Sequence, residues 1–455
     1  MPCCQADKYK WCKTLHSVKL ADGKEYCVFH APKEHKGRTQ ENFNKLVYAK
    51  IQEAIYKEAE CDLSGTIFPW SIDFSQFNKD NPFPPINFRD VIFQDKADFK
   101  QTTFSGFSFF MKAFFIGEAF FGQASFMKDA CFWQANFKLK AFFEKAFFRR
   151  AVFFMDANFI GEANFGEAVF GGAIHKEGNF RGGGANFLRA AFSGNVDFRN
   201  ASFSADVNFE GAIFSRNVYF EKTKFQDRLY LSWCSPKEWI FFEGVDLTNV
   251  HFLDSDPLKM HFIGCTWPQR FGRNVLSDEI NPIGKKPSFA KIEHFYRRLK
   301  QKYKIEYNEA EASNWHYGEK EMFRKKKWWR RYNPFSFSNL YWVSSGYGER
   351  PVRAGLMLLL LFVSGTMLMN LLGLVPRHGN PVFGVDSIKG FSSLFDPMRF
   401  WLAINNTIQH ALFVKDTYFI PQNLTGSIIL TLLTRLIIPI QTALFVLALR
   451  NRFKR

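Results

Sequence analysis

Phenylalanine recurs through the middle of this chain at a spacing that neither a helix nor a single strand can use. The sequence holds 57 Phe against 14 Tyr, and between Phe88 and Phe225 most Phe residues follow one another in steps of five or six. A small residue often stands two positions earlier, as in Ala119-x-Phe121. Strands repeat every 2 residues and α-helices every 3.6, so the chain must turn a corner after each unit.

A chain that turns at each unit winds into coils, and four sides close one coil. Phe and the small residue before it point inward, where the small residue makes room for the ring. Backbone hydrogen bonds then join successive coils at about 4.8 Å spacing. The repeat therefore predicts a right-handed β-helix solenoid with an aromatic core. From Phe88 to Phe225 it predicts about six coils and a rod of roughly 30 Å.

Two long apolar runs follow near the C-terminal end. Residues 355–375 contain no charge, and residues 426–449 contain only Arg435 together with one proline, Pro439. About 20 apolar residues in a helix cross the hydrocarbon core of a bilayer. Both runs therefore predict transmembrane helices.

Basic residues flank these two runs on their outer sides and are sparse between them. They are Lys325, Lys326, Lys327, Arg330, Arg331, Arg350 and Arg353 before the first run, and Arg450, Arg452, Lys454 and Arg455 after the second. The positive-inside rule then places both termini and the repeat domain in the cytoplasm. We expect the chain in contact with lipid of a bacterial inner membrane.

The segment between the two spans contains a further predicted helix, residues 395–413. It opens with Asp396-Pro397, a helix-start signal, and is too short and too polar to span a membrane. This layout predicts a pore helix, and an amphipathic helix on the outer leaflet is the alternative. The polar residues on it are the candidate pore residues: Asn405, Asn406, Thr407, Gln409 and His410.

Two residues of the second span extend this prediction. Arg435 is costly in lipid, so it is expected to face water or a partner. Copies of Arg435 around a pore would favour anions, and pairing with a carbonyl or with Asp416 is the alternative. Pro439 is the candidate gate hinge, because proline frees a backbone carbonyl one turn earlier.

The repeat resembles the pentapeptide-repeat family in its Phe-rich variant. Residues 287–327, the GYGERP motif at 346–351 and the ALFVLALRNRF tail extend the resemblance to bacterial pentapeptide-repeat proteins with a C-terminal two-helix ion-channel domain. The resemblance implies a homotetrameric pore. The chain departs from potassium channels because residues 410–421 (HALFVKDTYFIP) contain no Gly for a carbonyl filter.

Cysteine and histidine near the N-terminus form a candidate zinc site. Four tetrahedral ligands are available from Cys12, Cys27 and His30, together with Cys3 or Cys4. Cys27-x-x-His30 has a local spacing suited to zinc. The first thirty residues contain no apolar run of a secretory signal, so a reducing compartment is expected and disulfides are not. The alternative is reduced cysteines packed beneath the start of the solenoid.

The net charge of +17 favours anionic partners. Aromatic and basic residues interleave near the end of the repeat, as nucleotide or single-stranded DNA binding requires; a basic face capping the aromatic core is the alternative. These ligand-binding candidates are Trp233, Trp239, Trp267, Arg270, Arg273, Arg297, Arg298 and Lys300. The sequence contains no nucleophile–base motif, Walker loop or GxGxxG, so we do not expect an enzyme.

The sequence thus divides into a Cys/His-containing cap (residues 1–82), the β-helix (83–270), a helical linker (271–345) and a two-transmembrane channel domain (346–455). We expect an ion channel gated by a nucleotide or a short single-stranded DNA on its cytoplasmic domain. The architecture resembles bacterial anti-phage effectors of the CBASS-like and Hailong-like kind, which implies a role in growth arrest. A tension-gated or housekeeping channel and a non-conducting membrane-anchored scaffold are the alternatives.

Overall fold

Two units divide the chain, Met1–Arg298 and Leu299–Arg455. The computed structural model describes residues 3–19, 23–171, 184–284, 286–372, 374–376, 397–414, 419–421, 428 and 432–453. The boundary between the units falls inside the segment that the sequence predicted to be a linker.

A right-handed β-solenoid of about nine coils fills most of the first unit. Its four sides are parallel sheets, built within the described residues mainly from two-residue strands. The first side contains Cys61–Asp62, Ile86–Asn87, Ser108–Phe109, Ala130–Cys131, Val152–Phe153, Ala185–Asn186, Val207–Asn208, Leu229–Tyr230 and Val250–His251. The second contains Ile67–Phe68, Ile92–Phe93, Phe114–Phe115, Asn136–Phe137, Asn158–Phe159, Ala191–Phe192, Ile213–Phe214 and Ser235–Pro236.

The other two sides follow the same pattern. The third contains Ile72–Asp73, Ala97–Asp98, Ala119–Phe120, Ala141–Phe142, Ala163–Asn164, Val196–Asp197, Val218–Tyr219, Ile240–Glu243 and Met260–Ile263. The fourth contains Thr103–Phe104, Ser125–Phe126, Phe147–Phe148, Val169–Phe170, Ser202–Phe203 and Lys224–Phe225. The β-helix predicted from the Phe spacing is thereby confirmed.

The register shows how the repeat works. Through most of the solenoid, partners in adjacent coils are 22 residues apart, as in the hydrogen bond from the Asn158 amide to Asn136 Oδ1. Across the Gly-rich interruption Val152 pairs with Ala185, and the first side continues in register beyond it. The solenoid begins at Cys61, earlier than the predicted residue 83. The first coil escaped notice because Leu63 stands where the next coil has Phe88, and Ile72 stands where it has the small residue Ala97.

Columns of stacked Phe rings form the core. Phe121 lies between Phe99 and Phe143, with centroid distances of 4.7 and 4.8 Å and interplanar angles of 2°. A neighbouring column meets it edge to face, with Phe110 at 5.5 Å and 89°. Both arrangements suit the quadrupole of the aromatic ring. Ala119 is fully buried on the same side of the coil, and its small side chain leaves the volume that the rings fill.

The alternation of five- and six-residue steps has a backbone cause. In the five-residue step after Phe121, Gln123 takes a left-handed φ of 58° and the N–H of Ala124 donates to the carbonyl of Phe121. That is a type II turn. The same left-handed position recurs every eleven residues, for example at Gln134 and Lys145.

Short elements cover the two ends of the solenoid within the first unit. Before it come the antiparallel strands Ser17–Lys19 and Glu25–Cys27, the 3-10 turns Lys10–Cys12 and Lys33–His35, and helix α1 (Gln40–Tyr56). After it come the 3-10 turn Pro257–Lys259, the hairpin strands Gln269–Arg270 and Arg273–Asn274, and helices α2 (Ser277–Ile280) and α3 (Phe289–Ile305). α3 continues into the second unit.

The second unit is helical. Its elements are α4 (Glu309–Lys326), α5 (Trp328–Tyr332), α6 (Phe337–Ser345), α7 (Pro351–Leu372), α8 (Pro397–Ala411), a π-helical segment (Leu432–Ile437), α9 (Ile438–Phe453) and the paired strands Leu374–Pro376 and Phe419–Pro421. Two helical stretches, Pro351–Leu371 and Leu432–Phe453, are long and apolar enough to cross a membrane. A helix also forms where the pore helix was predicted.

Replacement of Phe121 by Ala tests the stacked core. Phe121 is fully buried and contacts rings above, below and beside it, so we expect a loss of about 3–5 kcal/mol in unfolding free energy. Phe120→Ala is the matched control, because Phe120 lies on the outer surface and stacks on Phe142 alone among rings; its loss should stay near 1 kcal/mol. Denaturant unfolding of the detergent-purified chain, followed by circular dichroism, measures both. Equal losses would contradict this account of the core.

Candidate functional site

Helix α8 packs its polar residues against the two apolar helical stretches of its own chain. The Thr407 hydroxyl donates to the carbonyl of Ala403 at 2.8 Å and lies 3.4 Å from the Thr366 hydroxyl on α7. On the other side, His410 Nδ1 is 3.3 Å from the Thr434 hydroxyl of the π-helical segment. A buried polar layer therefore joins α7, α8 and the π-helical segment.

Several polar atoms of this layer are buried without a hydrogen-bond partner among the described residues. They are Asn406 Oδ1, Gln409 Oε1, His410 Nε2 and Arg435 Nε. The Arg435 Nη2 donates to the carbonyl of Val414 at 3.3 Å, which fits the predicted carbonyl partner. Asp416 lies outside the described residues.

The predicted pore residues thus separate into two groups. Asn406, Thr407 and His410 are buried within the single chain, so they hold α8 in place. Asn405 and Gln409 are half-buried, so they are the members with surface left to present elsewhere. Their role in a pore remains a prediction.

The outer faces of the two long helices are apolar and are not covered by the described residues. Leu356 and Leu371 on α7 are each 62% exposed, and Val446 on α9 is 57% exposed. Extended exposed apolar surfaces are typical of sites that contact a membrane or another protein.

The second long helix changes its winding next to proline. Leu432–Ile437 is π-helical, and Pro439 follows within the first turn of α9. Proline lacks the N–H that would donate one turn back, and π-helical turns often occur at functional sites. The predicted hinge at Pro439 therefore coincides with a local irregularity that also contains Arg435.

A residue that the sequence reasoning missed ties the two long helices together. The Gln441 side-chain amide on α9 donates to the carbonyls of Ser344 and Ala354, at 2.8 and 2.9 Å. Nearby, the Asn451 amide donates to the carbonyl of Gly348 in the GYGERP motif, at 2.9 Å. A lone Gln in an apolar run was the available signal, since a buried amide needs partners.

An open groove of about 760 Å³ lies at the C-terminal end of the solenoid, within the first unit. Trp233, Lys259, Lys291, His294 and Arg298 are among its lining residues. Trp233 is 60% exposed and has a left-handed φ of 60°, a conformation that is rare for a bulky side chain. The Lys291 ammonium lies 5.6 Å from the centre of its ring.

Carboxylates already meet two of the cations in this groove. Lys291 pairs with Asp254 and Arg298 with Asp256, both at 2.6 Å. Lys259 lies at the groove with its ammonium 5.3 Å from the Trp239 ring. An anionic ligand would therefore meet Lys259 directly and compete with carboxylates for the other two cations.

The remaining ligand candidates lie elsewhere. Trp267 is buried and its ring contacts Phe252 and Phe262. Arg297 pairs with Glu293 at 2.8 Å. In the second unit, Lys300 pairs with Glu319 at 2.5 Å. The structure thus brings only Trp233 and Arg298 of the predicted set to the groove, with Trp239 behind Lys259. The sequence reasoning missed Lys259, Lys291 and His294.

Arg273 serves a buried ion pair. Its Nη2 lies 2.6 and 2.7 Å from the two carboxylate oxygens of Glu279, and the Tyr296 hydroxyl donates to the same carboxylate at 2.8 Å. Burial, reinforced by the charge of Glu279, raises the pKa of Tyr296. Arg270, by contrast, is 40% exposed at its side chain and lies 3.7 Å from Glu279.

The N-terminal cysteines and His30 gather in one buried cluster. Cys3, Cys12, Cys27 and His30 bring their ligand atoms within 4.8 Å of one another, whereas Cys4 is exposed. Burial raises the pKa of Cys27 to about 11 and also raises the pKa of Cys12. Burial lowers the pKa of His30. Without a cation, the Cys12 and Cys27 thiols are protonated and the His30 imidazole is neutral at pH 7.

Comparison with known proteins supports the repeat. A family model for pentapeptide repeats (nine copies) matches residues 179–232, and no curated protein matches the chain. Two trypsin-treated variants of QnrB1, a plasmid-mediated fluoroquinolone resistance protein, are 18% and 16% identical to this chain. The matches cover 45% and 46% of this chain and 79% and 87% of the QnrB1 chains, with TM-scores of 0.19 and 0.15. Rfr23, a pentapeptide repeat protein from the cyanobacterium Cyanothece 51142, is 13% identical, with 49% of this chain and 99% of that one covered and a TM-score of 0.11.

Residues 179–232 thus match the pentapeptide-repeat model, the first unit contains a β-solenoid, and two of the described helices are apolar enough to cross a membrane.

Replacement of Arg273 by Met tests whether this arginine stabilises the fold through its buried ion pair or serves as a ligand contact. The change leaves the Glu279 carboxylate buried without its main partner, so we expect a loss of about 3–5 kcal/mol in unfolding free energy. Arg270→Met is the control, because an exposed ion pair contributes at most about 1 kcal/mol. Denaturant unfolding measures both variants. An unchanged midpoint for Arg273→Met would contradict the structural role.

Proposed function

We propose that this chain is the subunit of a homo-oligomeric ion channel, with Pro351–Leu371 and Leu432–Phe453 as its spans and α8 as its pore helix. The family resemblance supports a four-fold assembly, and the basic flanks of the two spans support a solenoid on the cytoplasmic side of a bacterial membrane. The observation that carries the proposal is the pair of apolar helical stretches long enough to span a membrane, with the short helix α8 packed against them and its Asn405 and Gln409 side chains half-buried.

Polar side chains on α8 constrain what can surround it in a membrane. A polar group without a hydrogen bond costs several kcal/mol in hydrocarbon, because no water reaches it there. α8 has 15 residues, too few for the roughly 20 that a span needs. Asn406 and His410 are covered by their own chain, whereas Asn405 and Gln409 are half-buried. A pore between copies of the chain would supply water to these two side chains.

Ion choice would follow from Arg435. Its guanidinium lies beside the carbonyl of Val414, just beyond the end of α8. Several copies of one arginine around a narrow path repel cations and attract anions. We therefore expect an anion-selective pore.

Current measurements in planar bilayers under a potassium chloride gradient test this proposal. The reversal potential of the wild-type current should lie near the equilibrium potential of chloride. Arg435→Gln should move the reversal potential towards the equilibrium potential of potassium. Arg452→Gln is the control, since Arg452 lies at the far end of α9. Absence of current in all variants would favour the membrane-anchored scaffold, and current that depends only on membrane tension would favour a tension-gated channel.

The groove supplies a place for a cytoplasmic signal. We propose that it binds a nucleotide or a short single-stranded DNA, with the base on Trp233 and the phosphates near Lys259, Lys291 and Arg298. An exposed aromatic plane beside cations suits that ligand. Helix α3 carries Lys291 and Arg298 and continues into the second unit. A ligand in the groove would therefore contact a helix that both units share. The part in phage defence stays a prediction from the resemblance.

Calorimetric titration with a short oligothymidylate and with ATP tests the groove. Trp233→Ala should weaken binding by about tenfold or more, since a base stacked on an aromatic ring contributes about 1–3 kcal/mol. Lys291→Ala should weaken binding and flatten its salt dependence. Lys237→Ala is the matched control, an exposed lysine outside the groove lining. Equal affinity in all three variants would refute this site.

A further inference from the structure

The four buried ligand-type side chains near the N-terminus come from separate short elements. Cys12 ends the 3-10 turn Lys10–Cys12, Cys27 ends the strand Glu25–Cys27, and His30 follows in the next turn. Cys3 joins them from near the chain start. None is more than 2% exposed. Four such groups converge here although nothing in the solenoid repeat demands a cysteine.

The distances between their ligand atoms suit one small cation. His30 Nδ1 is 3.2 Å from Cys27 Sγ and 3.6 Å from Cys3 Sγ. In a tetrahedral zinc site with Zn–S of about 2.3 Å and Zn–N of about 2.0 Å, neighbouring ligand atoms lie about 3.5 Å apart. The two His30 distances therefore match those of a zinc coordination shell, and all four ligand atoms lie within 4.8 Å of one another.

The orientation of the His30 ring also suits a metal ligand. Its Nε2 lies 3.1 Å from the carbonyl oxygen of Ser64. A carbonyl only accepts, so Nε2 carries the hydrogen and the neutral ring keeps its lone pair on Nδ1. That lone pair is on the side of the sulfur atoms. A backbone carbonyl that fixes the second ring nitrogen is the usual support of a metal-bound histidine.

The surroundings complete the site. The backbone N–H of Cys27 donates to Cys3 Sγ at 3.3 Å, a contact that stabilises a thiolate. Tyr9 stacks on the His30 ring at 5.2 Å, and Trp11 lies 5.3 Å from the same ring. These aromatic rings exclude water, as in closed structural sites.

We propose that Cys3, Cys12, Cys27 and His30 bind one Zn²⁺ as a structural site that fastens the N-terminal segment to the first coil of the solenoid. Thiolate and imidazole ligands in a tetrahedral set select zinc over the hard cations. This inference is independent of the channel proposal.

The role as a fastener follows from what the cluster touches. Ser64, whose carbonyl accepts from His30, lies just after the first solenoid strand and also accepts from the Trp11 indole N–H at 3.1 Å. The Tyr9 hydroxyl donates to Asp90 at 3.2 Å in the second coil. The metal would hold these contacts over the open edge of the solenoid, and an uncovered sheet edge invites pairing with another chain.

Metal analysis of the untagged full-length chain, purified in mild detergent, tests the site. Elemental mass spectrometry should find about one zinc ion per chain. The Cys27→Ser and His30→Ala variants should lose most of this zinc. Cys4→Ser is the matched control, an exposed cysteine of the same segment, and Cys61→Ser controls for a buried thiol outside the cluster. Both controls should retain the zinc.

A second measurement covers the case in which the cluster variants do not fold. Wild-type chain stripped with a chelator should have a lower thermal midpoint, and added Co²⁺ should give the strong visible absorption of tetrahedral cobalt–thiolate. Background zinc in the wild-type chain together with no cobalt absorption would overturn the proposal. Zinc retained equally by Cys27→Ser, His30→Ala and Cys4→Ser would also overturn it.

Discussion

Ring stacking from coil to coil is the interaction on which the first unit depends. Each inward Phe contacts the ring one coil before and one coil after, as Phe121 does with Phe99 and Phe143. Backbone hydrogen bonds also join the coils, as from the N–H groups of Ala119 and Phe121 to the carbonyls of Lys140 and Phe142, and the ring columns fill the space that these bonds enclose. Most coils share the same step lengths, small residues and left-handed corners, so the pattern is plain in the sequence.

The second unit obeys a different constraint. Its long helices present apolar faces outward, while polar side chains of α8 face inward with atoms that have no partner among the described residues. A membrane rewards the first arrangement and penalises the second unless water or another subunit is present. The channel proposal accounts for both halves, because lipid and further copies of the chain cover the apolar surface and a wet path between copies hydrates the half-buried Asn405 and Gln409.

Sequence patterns predicted what repeats and missed what occurs once. The Phe period gave the solenoid, and apolar length gave the two candidate spans. The coil that begins at Cys61 was missed because Leu63 stands there in place of a ring and Ile72 in place of the small residue Ala97 of the next coil. The hydrogen-bond partners of Gln441 lie far from it in the sequence. Arg273 meets the buried Glu279 only through the local fold. Residue spacing reveals neither contact. Cysteine and histidine content suggested the N-terminal cluster, and only the fold selected Cys3 over Cys4.

The central claim is that the polar side of α8 meets water inside a membrane. Thiol accessibility measures this directly, with Gln409→Cys and Ile408→Cys compared in bilayers against a membrane-impermeant thiol reagent and the wild-type chain as baseline. The account predicts that Gln409→Cys is modified and its current falls, while Ile408→Cys, on the exposed apolar face, is spared. Modification of both positions alike, or of neither, would contradict it.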